Sequence, residues 1–439
     1  MKNIFKNIII FILTLEARLV LKKYKPKIVA VTGNIGKTTS KDAIYTVLSS
    51  VFFVRKSEKS FNSEIGIPLT ILGLPNAWSD FFSWAQNIID GLKLIILKNH
   101  YPKWLVLEVG ADRPGDIKKV SHWLKPDVVV MTHLPDVPVH IEFFNSVEEV
   151  VKEKSNLIKA LKENGTFVVN ADDKKALALK ELAGEKKVLT YGFKEGSSII
   201  ASGENTIYED GRPKGISFRV DYSGSSVPVE IGGVLGKQHI YPILSSLAVG
   251  IAQGLNIVSM GQVLKEHMTP AGRMKLVDGI NDSIIIDDSY NSSPEALKEA
   301  LNSLSGVNGL PRHSEAKASK RKIAVLGDMM ELGSHSVKAH IQAGELTASS
   351  ADILITVGVR AKYIAQGAME NKMKKKEIFQ FNDSKSAGEK LAAILNDGDI
   401  TLIKGSQSVR MERIVEKVMA YPEKKYRLLV RQGEEWQIR

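Results

Sequence analysis

The segment Thr32-Gly33-Asn34-Ile35-Gly36-Lys37-Thr38-Thr39 constrains the fold more than any other stretch of this chain. It follows a short β-branched run, Lys27 to Thr32, and precedes a stretch from Ser40 to Ser50 with helical periodicity. A buried parallel strand, a glycine-rich turn and a helix are therefore expected in that order. Two glycines bend the chain sharply and leave backbone N–H groups free to face phosphate oxygens. The helix N-terminus adds partial positive charge. Lys37 can reach outer phosphates, and Thr38 or Thr39 can offer a hydroxyl to Mg²⁺. The general phosphate-loop pattern has a further glycine where this chain has Val31, so only the shorter Gly-x-x-Gly-Lys-Thr-Thr form is present. Such a loop serves kinases, GTPases and ligases alike.

The strand grammar repeats. Trp104 to Val109, Asp127 to Thr132 and Thr166 to Asn170 read as strands, with a helix over Ser146 to Leu161. The texture then changes between Ser197 and Val234, where turns such as Glu209-Asp210-Gly211-Arg212-Pro213 predict an antiparallel excursion. Helix returns from Ile240 to Ala252. Beyond Thr269-Pro270-Ala271-Gly272 a second α/β pattern begins, with strands at Ser283 to Asp287, Lys322 to Leu326, Ile353 to Val357 and Ile400 to Ile403. Gly306 to Ser319 is polar and predicts a surface loop. The expected fold class is α/β: a P-loop nucleotide-binding domain with a mostly parallel sheet and a small antiparallel excursion, then a Rossmann-like C-terminal α/β domain. The expected divisions are 1–26, 27–268 and 269–439.

Composition narrows the partners. The formal net charge is +11, which suits an anionic partner. The basic runs (Lys22-Lys23, Lys374-Lys375-Lys376, Lys424-Lys425-Tyr426-Arg427) lack the aromatic interleaving of a base-stacking platform, so nucleic acid is not expected. With no cysteine there is no disulfide, thiolate metal site or cysteine nucleophile. Ile8 to Leu13 is apolar with Lys2 and Lys6 ahead of it, but Glu16 and Arg18 interrupt the pattern well short of the roughly 20 residues a spanning helix needs. It reads either as a helix docked on the protein or as an interfacial helix on the inner membrane face.

Several further motifs carry a resemblance. Phe61-Asn62-Ser63-Glu64-Ile65-Gly66-Ile67-Pro68, Leu107-Glu108-Val109-Gly110-Ala111, His140-Ile141-Glu142, Lys154 and Asn170-Ala171-Asp172-Asp173 occur in that order. After them come Gly272-Arg273, Asp287-Asp288-Ser289-Tyr290-Asn291-Ser292-Ser293-Pro294, the run Gly327-Asp328-Met329-Met330-Glu331-Leu332-Gly333, and Lys404-Gly405-Ser406. Together they resemble the Mur ligase family, and the Gly327–Gly333 run is close to its D-alanyl-D-alanine-adding members. The resemblance implies an ATP-dependent carboxylate–amine ligase of the cytoplasm that forms ADP and phosphate through an acyl phosphate. Its implied substrates are a peptidoglycan-precursor peptide and an amino-acid or dipeptide amine; a different acceptor, lipid-linked or without UDP, is the alternative.

The implied nucleotide residues are Gly33, Asn34, Gly36, Lys37, Thr38, Thr39, Asn170, Arg273, Asp288, Tyr290 and Asn291. The implied catalytic residues are Lys37, Glu108, His140, Lys154 and Arg273. Thr38, Glu108, His140 and Lys154 are the implied Mg²⁺ set, with Lys154 carbamylated. Lys404 and Ser406 are expected to meet the amine substrate. Three departures stand out: His133 and the segment Ile240-Tyr241-Pro242-Ile243 replace asparagine-bearing positions of the family, and Ser63 replaces the second asparagine of an Asn-Asn pair. Only 26 residues precede Lys27, where the family has a separate UDP-binding domain, so the expectation is a different grip on the distal substrate or a partner that supplies it.

Overall fold

A computed structural model of the protein describes residues 2–58, 61–78, 80–307, 321–433 and 436. Two sheets organise it. The first comprises β1 (Lys27–Thr32), β2 (Val54–Lys56), β3 (Trp104–Glu108), β4 (Val128–Met131), β5 (Thr166–Asn170), β6 (Lys187–Gly192), β7 (Ile199–Glu209), β8 (Arg212–Tyr222) and β9 (Ser225–Gly232). Its order is β2-β3-β1-β4-β5-β6-β7-β8-β9. Pairing is parallel through β7 and antiparallel across β7-β8-β9, as the change of texture near Ser197 predicts. β3, β4 and β5 are buried at every position, which is why they are continuous apolar runs rather than alternating ones.

The strand order reverses around β1. The chain leaves it for β2 and β3 on one side and reaches β4 on the other. The crevice beyond the carboxyl end of β1 is where sheets of this kind bind ligands. Alternate β1 residues feed two cores: Ile28 and Ala30 one face, Val29 and Val31 the other. The first face is covered by α1 (Lys2–Tyr24), α3 (Gly66–Leu72) and α4 (Phe81–Ile96); the second by α2 (Lys37–Ser49) and α8 (Ile240–Ala252). Between them in the chain lie α5 (Asp116–Ser121), α6 (Val147–Ala160) and α7 (Lys174–Ala178).

α1 is far longer than the apolar run that marks it. It docks through Ile9, Leu13, Ala17 and Val20. Glu16 is also buried in this contact, beside Gly91 of α4, and burial pushes its carboxyl up to about 7. No described helix is long and apolar enough to cross a membrane.

The second sheet contains β10 (Lys275–Asp278), β11 (Ile284–Asp288), β12 (Lys322–Gly327), β13 (Ile353–Val357), β14 (Ile378–Phe381) and β15 (Ile400–Lys404), in the order β10-β11-β15-β12-β13-β14. Only β10 is antiparallel, a short edge that periodicity does not reveal. α9 (Ile257–Leu264) packs on the first sheet's core with α2 and α8, while α10 (Pro294–Gly306), α11 (Ser336–Ser350), α12 (Lys362–Glu370), α13 (Ser384–Ile394) and α14 (Glu412–Val418) complete the second sheet's layers. The surface loop expected at Gly306 to Ser319 lies almost wholly outside the described residues.

Candidate active site

β1 delivers the chain to Gly33, whose φ is +138°, and α2 starts after Gly36, whose φ is +84°. A Cβ on Gly33 would lie 2.0 Å from the Thr132 hydroxyl, so only glycine fits beside β4. The Asn34 and Ile35 amides donate to the His133 carbonyl at 2.8 and 3.4 Å. The first turn of α2 has no side-chain cap, which leaves its amides facing the crevice with the helix dipole behind them. This is an anion cradle, and phosphate fits it.

Lys37 donates to the Asn34 carbonyl at 3.1 Å. Burial holds its ammonium below the usual lysine range, against the opposing pull of Glu108; Arg273 lowers it further and Asp112 raises it. Glu108, at the end of β3, is buried; one carboxylate oxygen accepts from the Thr38 hydroxyl at 2.9 Å and the other from the Asn62 amide at 3.3 Å. Lys154 projects from α6, whose N-cap Ser146 accepts from the Glu149 amide at 3.2 Å. A lone lysine in a helix defaults to solvent, but this one is 2% exposed. Burial, then the Lys37 charge, pushes it down to about 7, with Asp112 and Glu153 acting in the opposite sense.

His140 has φ +69° and its Nδ1 sits 2.7 Å from Glu331, which comes from the second sheet's domain and has φ +63°. Its Nε2 lies 3.5 Å from Asp112. Left-handed backbone at two non-glycine residues that meet is strain concentrated at a functional place. The His140 contact, with its charge, holds the Glu331 carboxyl below its ordinary range.

The second domain closes the crevice. Arg273 stacks its guanidinium 4.0 Å from the Tyr290 ring centroid. A cavity of about 780 Å³ lies between the domains, lined by Asn34, Gly36, Thr39, Asn170, Arg273, Asp288 and Asn291 among others. Tyr290 does not line it; the Arg273 and Arg431 guanidinium groups occupy the neighbourhood of its ring. At the cavity's far end Tyr241 donates to Asp172 at 3.1 Å and packs edge-on against Phe193. Asp172 also accepts from the Phe193 and Lys194 amides, so the Asn-Ala-Asp-Asp run builds this wall.

Lys404 lines the same cavity, and both it and Ser406 are tied to neighbouring loops. Lys404 is buried and bonds Asp288 at 2.5 Å and the Asn291 carbonyl at 2.9 Å, while Ser406 accepts from the Met330 amide at 2.9 Å. Asp112 is the residue that sequence reading missed. It acts electrostatically on both Lys37 and Lys154 and lies close to His140. Its position four residues past Glu108, in the turn after a parallel strand, is the signal that could have found it.

Among the described residues no three His, Cys, Asp or Glu side chains form a metal-ligating group. Mg²⁺ needs none, since one or two carboxylates plus phosphate and water complete its octahedron. Buried Glu108 bonded to Thr38 at the mouth of the cradle fits that requirement.

Comparison with known proteins agrees with this geometry. Residues 87–250 match the Mur ligase middle domain, and residues 272–407 match the Mur ligase, glutamate ligase domain. The UDP-N-acetylmuramoyl-tripeptide–D-alanyl-D-alanine ligase of Bacillus subtilis (strain 168) is 26% identical over 411 residues, covering 92% of this chain and 79% of that protein. Its Escherichia coli (strain K12) counterpart is 24% identical over 394 residues, covering 89% and 76%. The crystal structure of MurF ligase from Thermotoga maritima in complex with ADP superposes with a TM-score of 0.73 at 27% identity, covering 95% of this chain and 84% of that one. The chain belongs to the Mur ligase family of ATP-dependent acid–amino-acid ligases.

Proposed function

We propose that this ligase joins the free carboxyl of a peptidoglycan-precursor peptide to the amine of D-alanyl-D-alanine in the cytoplasm, with ATP converted to ADP and phosphate. The observation that carries the reading is the geometry at the phosphate cradle: buried Glu108 accepts from the Thr38 hydroxyl at 2.9 Å, and Arg273 of the second domain lines the same cavity as Asn34, Gly36 and Thr39. The likeness to the Bacillus subtilis and Escherichia coli ligases supports the choice of substrates.

A carboxylate resists nucleophiles because it is negative and oxide is a poor leaving group. Its oxygen attacks the γ-phosphorus of ATP, the β–γ bridge breaks, and an acyl phosphate and ADP result. The amine then adds to the acyl carbon and phosphate leaves. The uncapped first turn of α2 binds the phosphate oxygens, and Lys37 and Arg273 offset charge on the transferring group. Mg²⁺, when bound beside Thr38 and Glu108, would supply Lewis-acid stabilisation of the same oxygens. His140 is oriented by Glu331 at 2.7 Å and Asp112 at 3.5 Å. We assign Lys154 as a carbamate in the active enzyme, because its buried, readily neutralised amine can attack CO₂ and become a further anion beside Glu108 and Asp112. The aromatic wall of Tyr241 and Phe193 suits the adenine. Closure over the cavity keeps water from the acyl phosphate.

Phosphate release tests the substrates. It is expected to need ATP, a tripeptide precursor and D-alanyl-D-alanine together, and to fall to background when either peptide is withheld. Equal release with tripeptide lacking the UDP-sugar would favour the alternative acceptor; release without any amine would overturn the ligase reading.

We further propose peripheral membrane contact through α1 and α4. Phe5, Phe11 and Leu15 of α1 and Phe81, Phe82 and Ile96 of α4 are all exposed, and Phe5 lies 5.7 Å from Phe81. Lys22 and Lys23 follow on α1. Partition onto anionic vesicles is expected at low salt, with a loss on the order of 10³-fold in a F11E/F82E variant, since the two rings together contribute on the order of 4 kcal/mol of apolar burial. Equal partition of the two proteins in a sedimentation assay would remove the idea.

A further inference from the structure

We propose that His133 is a positioning residue that couples the phosphate loop to closure of the two domains. Its backbone and side chain face different partners. The carbonyl receives the Asn34 and Ile35 amides and so fixes the first half of the loop. The imidazole spans the domain junction. Nδ1 is 2.8 Å from Asp173, and Nε2 is 2.9 Å from Glu295 in the first turn of α10.

The two carboxylates are unequal. Asp173 is buried and already held, accepting from the Ala176 amide at 3.0 Å and the Leu134 amide at 2.5 Å. Its side of the contact belongs to the first domain and does not move on opening. Glu295 belongs to the second domain and its side chain is 40% exposed. Opening takes Glu295 away and leaves the imidazole with Asp173 alone. Both His133 and Glu295 line the cavity that Asn34, Gly36 and Arg273 also line. Domain closure is thereby reported to the loop through one residue.

The imidazole is charged at neutral pH. Burial opposes the charge, but the hydrogen bonds and charges of Asp173 and Glu295 outweigh it and push the group up to about 9. Asp136 is the other carboxylate that feels this charge, and it is paired with Lys175 at 2.5 Å. A neutral asparagine, the residue of the Mur pattern at this position, could not hold two anions at once. The sign follows: the contribution of the tie is complete below the ordinary histidine value of 6.5 and is lost as pH rises through about 9.

The inference rests on nucleotide binding at the loop and not on the identity of the peptide substrates, so ADP binding tests it. Titration calorimetry with Mg·ADP on the full chain is expected to give about tenfold weaker affinity for H133N and for E295Q. The double variant should be no weaker than either single one, because one contact is being removed twice. Wild-type affinity should fall between pH 8 and pH 10 more steeply than that of H133N, and small-angle scattering should show less compaction by ADP in both single variants. An E295Q variant that matches wild type in affinity and compaction would overturn the proposal, as would additive losses in the double variant or identical pH profiles. Failure of wild-type protein to bind ADP at all would instead sink the phosphate-loop reading.

Discussion

Replacement of Lys154 by alanine is expected to reduce ligation by on the order of 10³ while ADP binding and the circular dichroism spectrum are retained. The side chain is 2% exposed. It faces the Lys37 charge, with Asp112 and Glu153 opposing. A buried ammonium facing the half-buried Lys37 cation is costly, and burial pushes Lys154 down to about 7. Near that pH a large share of the amine carries a free lone pair. In the carbamate proposed above, that neutral amine attacks CO₂, the C–N bond forms, a proton is released, and the product is an anion able to pair with Lys37. Alanine removes that charge without leaving a buried polar atom behind. Short carboxylic acids such as acetate, offered at high concentration, should then restore part of the turnover by filling the gap with a carboxylate. Phosphate release measured with and without acid decides the matter: full turnover in the alanine variant without added acid would contradict the role given to Lys154.

That residue also marks how far the sequence could be read. The strand–turn–helix around Gly33 and the parallel strands β3, β4 and β5 are legible because burial on both faces demands unbroken apolar runs. β2, three residues long, and β10, a lone antiparallel edge, carry too little pattern. α1 was legible only in its middle. Its buried stripe of Leu13, Ala17 and Val20 is mixed with exposed Phe11 and Leu15, so no clean amphipathic period marks its ends. For the site, local pattern identifies the cradle and Glu108, but not that Lys154 is buried or that Asp112 stands near it, since both depend on how α6 packs against the loop after β3. His133 was visible as a departure, while its partner Glu295 lies 162 positions further along the chain. Only the closure of two domains brings them together.

Substitution of Glu412 by alanine is expected to destabilise the C-terminal domain by about 3–5 kcal/mol, the usual cost of stranding a buried charge. Glu412 is 1% exposed in the first turn of α14. One of its oxygens meets the Arg410 Nε at 2.5 Å and the other the Arg431 Nη1 at 2.7 Å. Arg431 comes from the segment after residue 428 and donates also to the Ser289 carbonyl at 3.2 Å and to the Tyr290 carbonyl. It thus holds the loop whose Tyr290 ring stacks on Arg273. The intact pair need not stabilise the fold, because desolvation of both ions offsets most of their attraction. Its removal is another matter: alanine leaves the Arg431 guanidinium, whose side chain is 4% exposed, without its anion. A lowered thermal midpoint and a reduced kcat are both expected, the second through loss of order at Tyr290. The double variant E412A/R431M should recover part of the midpoint but not the kcat, since methionine fills the volume and cannot hold the two carbonyls. Denaturation and steady-state rates on the same three proteins separate these effects, and an E412A midpoint equal to wild type would refute the account of the C-terminal segment as a brace for the catalytic loop.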